Sequence, residues 1–165
     1  MNYSLWLPLS NIKTYLFAVL FIAGNVLFPM LFHAVPHGGH IFLPIFFFTL
    51  VGAFRYGLYV GLFTAICSPL LSHWLMAMPT IAMLPIIISK SLILASCASF
   101  AARYIKKHLL LTITLVVFAA QILGFLAEWI IVSDVAFAFH DLRMGLPGMA
   151  LQIFGGSYLI AFKRK

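Results

Sequence analysis

Two ionisable residues lie inside long apolar runs, Lys90 within 81–102 and Glu128 within 109–132, and two carboxamides do the same, Asn25 within 14–32 and Gln152 within 146–162. An ionisable group at membrane depth costs about 3 kcal/mol on insertion scales, so each marks a place where the chain must pair or bind something polar. An ammonium and a carboxylate in the same half of the membrane either neutralise each other as an interhelical pair or hold the charges of a ligand. The carboxamides either bridge helices or line the same pocket. Six histidines add a second chemistry. Imidazole ligates metals, and His33, His37 and His40 are close in sequence. Their spacing is unspecific, because His33 and His37 share a helix face only if the helix continues through Pro36, and no Cys or carboxylate stands beside them. Loop structure or substrate contact is the better reading of the three, and no metal ligand is assigned. His73 and Trp74 are either an interfacial anchor or part of a pocket, and Trp129 follows Glu128 directly. Cys67 and Cys97 lie far apart in apolar runs, without a CxxC, and read as inert buried thiols. No hydrolase motif, phosphate-binding glycine loop or HExxH is present, so the reading is non-catalytic and without cofactor.

These side chains need elements that can hold them in lipid. Of the 165 residues, 64% are apolar and 8% charged, against roughly 45–50% and 25% in soluble domains. Thirteen Lys, Arg, Asp and Glu residues cannot cover an 18 kDa soluble domain, so the chain reads as one all-α integral membrane domain. The net charge of +7 would suit a nucleic-acid binder, but the cations stand at the ends of apolar runs and act as topology signals. The N-terminal segment has no charge before Lys13 and no short apolar core with a cleavage site, so no secretory signal peptide is expected. Six spans are expected, at about 14–32, 41–54, 58–72, 81–102, 109–132 and 146–162, with the third broken near Pro69. Loops are expected at 33–40, at 73–80 and across the polar stretch 133–145, and the Phe46, Phe47 and Phe48 run is expected to face lipid and helix neighbours.

With six spans, Lys13, Arg55, Arg103, Lys106, Lys107, Lys163, Arg164 and Lys165 fall on one side and Arg143 alone on the other. The positive-inside rule then puts both termini in the cytoplasm. Lys90 lies about 13 Å below the outer surface, Asn25 and Gln152 about 10 Å, and Glu128 about 6 Å, at 1.5 Å of rise per residue. Apart from Gln121 the inner half has almost no polar group. That asymmetry implies a pocket opening outward, walled by spans one, four, five and six, rather than a conduction path through the membrane.

The succession Leu43-Pro44, Gly52, Arg55-Tyr56-Gly57, Val60-Gly61-Leu62, Ser68-Pro69-Leu70-Leu71-Ser72, Met78-Pro79 and Leu84-Pro85, closing on Gly145-Leu146-Pro147-Gly148-Met149-Ala150-Leu151-Gln152, resembles the membrane S components of energy-coupling factor (ECF) vitamin transporters. The resemblance runs from about residue 14 to 162. It implies a six-helix substrate-capture subunit of a bacterial or archaeal cytoplasmic membrane, with a vitamin or vitamin precursor bound near the outer face. It also implies a transmembrane T component and two cytoplasmic ATPases as partners. The outer segments His33–His40, His73–Pro79 and Ser133–Gly148 would form the pocket, and Ala18, Ala23 and Gly24 the docking stripe of helix one. Relatives carry a His in the second helix and a Glu in the fourth, where this chain has Phe46–Phe48 and Lys90, so the resemblance does not carry a substrate with it. Two other functions fit a small membrane protein of few charges: a structural scaffold of the rod-shape (MreD) type, and a metal-ion uptake subunit built on the histidine loop.

Overall fold

The computed structural model describes residues 6–32, 44–105 and 108–162. Within them the chain is helical: α1 (Ile12–Phe32), α2 (Pro44–Tyr56), α3 (Leu58–Met76), α4 (Leu84–Tyr104), α5 (Leu109–Val132), α6 (Val135–Met144) and α7 (Leu146–Phe162). By length and composition α1, α3, α4 and α5 can each cross a membrane, and α6 with α7, bent by 45° at their junction, can make a fifth crossing. α2 is apolar but has 13 residues, about 20 Å of axial rise, less than the roughly 30 Å hydrocarbon core.

α2 is the centre of the bundle and packs on α1, α3, α4 and α7; α5 packs on α4, α6 and α7. The turn between α2 and α3 is a single residue, Gly57, at φ +99°, a backbone region that an L side chain enters only with strain. Its far side is closed by the N-terminal segment, where the Leu7 amide donates to the Tyr56 carbonyl at 3.0 Å. One turn on, a Cβ added to Gly61 would meet the Ala53 Cβ at 2.5 Å and the Ala95 Cβ at 3.1 Å, so α2, α3 and α4 are in near-backbone contact there. Small residues allow such approach in membranes, where packing rather than water exclusion drives association.

Phe46 and Phe47 are buried and Phe48 half-buried, not turned to lipid. Phe47 meets Phe28 at 5.3 Å between ring centroids and Phe48 meets Phe21 at 6.1 Å, because α1 and α7 offer glycine at Gly24 and Gly155 where the rings lie. Three expected boundaries are also corrected. α3 is not broken at Pro69 but runs on to Met76. The tight contacts of Gly61 and Ala65 fix its course, and proline is tolerated in a helix held by neighbours. His73 and Trp74 therefore stand in its last turn rather than in a loop. The stretch 133–145 is not a loop throughout: it contains α6, started by Asp134, whose carboxylate accepts from the Ala136 and Phe137 amides at 2.8 and 3.1 Å.

Candidate functional site

Three charged side chains meet at the end of the bundle that holds the α3–α4 and α5–α6 connections. Lys90 is six residues into α4, Glu128 four residues from the end of α5, and Asp141 lies on α6. The Lys90 ammonium stands 2.6 Å from Glu128 Oε2 and donates to Asp141 Oδ2 at 2.5 Å. Glu128 is 1% exposed, whereas the Asp141 side chain is 25% exposed. The aliphatic stem of Lys90 reaches this position by lying against Gly124, one turn before Glu128, where an added Cβ would come within 3.2 Å of Lys90 Cγ. One ammonium thus holds two carboxylates, from two different elements.

Beside the ammonium lies a cavity of about 20 Å³ lined by Phe46, Lys90, Leu94, Val117, Ala120, Gln121 and Gln152. It is large enough for about one water molecule. Gln152 is 2% exposed and lines this cavity from α7. Gln121 reaches the same cavity from the middle of α5, which carries the polar lining deeper than the outer-half cluster alone.

Of the ten predicted site residues the structure brings Lys90, Glu128 and Gln152 together. Asn25 is elsewhere: its amide donates to Thr49 Oγ1 at 2.9 Å and Ser68 Oγ at 3.2 Å, and its oxygen accepts from the Phe48 amide at 3.0 Å. That arrangement ties α1 to α2 and α3, and α2, through Phe46, takes the wall position expected of the first span. His73 Nδ1 meets the Pro79 carbonyl at 2.7 Å and so closes the α3–α4 connection; a carbonyl only accepts, so Nδ1 carries the proton. Trp74 is 80% exposed and Trp129 points out of the bundle. His33, His37 and His40 lie outside the described residues, and among the described residues no three His, Cys, Asp or Glu side chains converge as metal ligands. Of the helix-one stripe, Ala18 is buried, Gly24 lies half-buried under the Phe48 ring and Ala23 is exposed.

Asp141 falls in the segment 133–148 expected to help form the pocket, but it was not singled out as a site residue. A signal was present: Asp134 followed by an apolar stretch is a helix start, and a helix there puts Ala138 and Asp141 on one face. Ala138 is the buried residue of α6.

The fold and site define a multi-pass helical membrane protein with a buried, charged nest at one end of the bundle. No protein-family model, curated protein or solved structure matches the chain.

Proposed function

We propose that the chain is the substrate-capture subunit of an ECF-type importer for a vitamin or vitamin precursor. It spans the membrane six times with both termini in the cytoplasm, binds cargo from outside between α2, α4, α5 and α7, and relies on a T component and two ATPases for energy. The observation that carries this reading is the Lys90–Glu128–Asp141 nest beside the Gln152 cavity. Charges held at membrane depth, beside a cavity with a carboxamide in its lining, are what a ligand site needs and what lipid packing alone does not. At about 20 Å³ the cavity is smaller than a vitamin-sized cargo, so binding requires the wall to move. Cargo enters when α6, which is short and carries one wall of the nest, moves aside.

Mass spectrometry of small molecules that co-purify with the detergent-solubilised protein tests this. A single organic compound is expected at near-stoichiometric amount from the native chain, and absent from Lys90→Met or Gln152→Leu protein that still unfolds cooperatively. The purified chain should show no ATP hydrolysis of its own. Absence of any co-purifying compound, with no uptake phenotype on deletion, favours the scaffold function, for which the smallness of the cavity is the specific observation.

A further inference from the structure

We infer that the cargo presents a carboxylate to Lys90, and that Asp141 is the internal stand-in which occupies the cargo's place until it arrives. The inference rests on the capture reading and adds the chemical class of the ligand and the means by which the site stays closed without it.

The two carboxylates on Lys90 are not equivalent. Glu128 is almost wholly buried and belongs to the 24-residue α5, where packing holds it on every side. Asp141 rides on the ten-residue α6, which packs mainly on α5 through Ala138 and leaves Val135, Phe137 and Phe139 exposed. A quarter of its side chain already meets the surroundings. Moving Glu128 away would require taking a span apart, whereas moving Asp141 away requires only that α6 swing or fray. Asp141 is therefore the exchangeable partner.

Charge fixes what can replace it. Lys90 and Glu128 together are neutral, and Asp141 brings the nest to a formal −1. A ligand carboxylate that takes the same position on the ammonium leaves both the local charge and the hydrogen bond as they were, so the exchange carries no extra electrostatic penalty. A phosphate dianion would put a second negative charge next to Glu128, and a cationic group would meet the Lys90 ammonium first. The rest of the lining suits the body of such a molecule. Gln152 and Gln121 supply amide donors and acceptors, and Phe46, Leu94 and Val117 an apolar wall.

The test is chemical rescue in the full-length purified protein. Asp141→Ala should lower the thermal midpoint, and millimolar sodium acetate should restore it with a saturable dose dependence. Sodium chloride at equal ionic strength, acetamide and methylammonium chloride should not. Wild-type protein, whose site is filled by its own Asp141, should respond little to acetate, and Lys90→Met combined with Asp141→Ala should not respond at all. A larger probe reads the competition directly. Benzoate should bind Asp141→Ala about ten-fold or more tightly than wild type, because an internal competitor lowers the competent fraction, and benzamide should bind neither. Should Asp141→Ala fail to fold, Asp141→Asn removes the charge while keeping the shape, and the benzoate to benzamide comparison is made on it. Equal responses to acetate and chloride, rescue by methylammonium, or an acetate response that survives loss of Lys90 would each overturn the inference. It is separable from the capture reading: acetate rescue with no cargo from cells supports the anion site and removes capture, whereas a co-purifying cargo without a carboxylate overturns the inference and leaves capture standing.

Discussion

Lys90 is held at both its stem and its head, by Gly124 and by two carboxylates. Its ammonium sits between two carboxylates at 2.5 and 2.6 Å, and its removal would leave Glu128 and Asp141 facing each other with no cation. Breaking a buried ion pair from one side costs about 3–5 kcal/mol. Lys90→Met should therefore lower the thermal unfolding midpoint in detergent sharply. Lys90→Met with Glu128→Gln should recover most of that loss, because Asp141, partly exposed, can turn to water. If the nest serves binding, cargo retention stays lost in the double variant although the fold returns. A double variant that regains both would assign the pair to helix association alone. The pairing of Lys90 with Glu128 was legible in the sequence as one of two alternatives, the other being the charges of a ligand, since two ionisable residues in the same half of the membrane have few other partners. Asn25 was legible only as a polar group that must find partners. Which partners depends on how α1 turns against α2 and α3, and the hydrophobicity of α1 is too even around its circumference to show that. The segment 133–148 was expected to help form the pocket, but the contact of Asp141 with Lys90 was hidden, because it spans 51 positions and depends on a helix within a stretch polar enough to pass for a loop.

The long helices were legible because lipid leaves the chain little choice: a run of about 20 apolar residues must satisfy its own backbone. Their ends were not, since these depend on neighbours. Pro69 forecast a break on local grounds, and the contact of α3 with α2 and α4 overrides it. Gly61 is the centre of that contact, and its Cβ-less face is filled by Ala53 Cα at 3.0 Å as well as by Ala53 Cβ. Gly61→Ala should destabilise the bundle by about 1–3 kcal/mol, the usual cost of overpacking, because the obstacle is a helix backbone rather than a flexible side-chain tip. Ala53→Gly in the same chain should return part of the loss, the Ala95 contact at 3.1 Å accounting for the remainder. Thermal unfolding of the two single variants and the pair measures it. Additive losses would mean that α2 and α3 are not held together at this point.

For the whole molecule, the described residues give the bundle two chemically different ends, and that difference predicts its orientation. At one end Arg55 donates to the Ile160 carbonyl at 2.7 Å, Arg103 lies over the Trp6 ring at 5.1 Å, and Lys13 begins α1. Among the described residues the other end holds Asp134, Asp141 and Glu128, with Lys90 paired to two of them and Arg143 as its arginine. Lys and Arg near short loops stay on the cytoplasmic side, so the charged nest should face outward, where a captured molecule would arrive. The test uses three exposed positions in a chain whose Cys67 and Cys97 are replaced by Ala: Met78 and Phe139 at the nest end and Tyr104 at the arginine end. In intact cells an impermeant maleimide should label Met78→Cys and Phe139→Cys, and should label Tyr104→Cys only after the membrane is opened. An occupied site should also alter the Phe139→Cys rate, since Phe139 belongs to the helix that carries Asp141, while Met78→Cys serves as the reference on the same side. Labelling of Tyr104→Cys in sealed cells would invert the molecule. The nest would then open to the cytoplasm, and a subunit that captures cargo from outside could not be built from this fold.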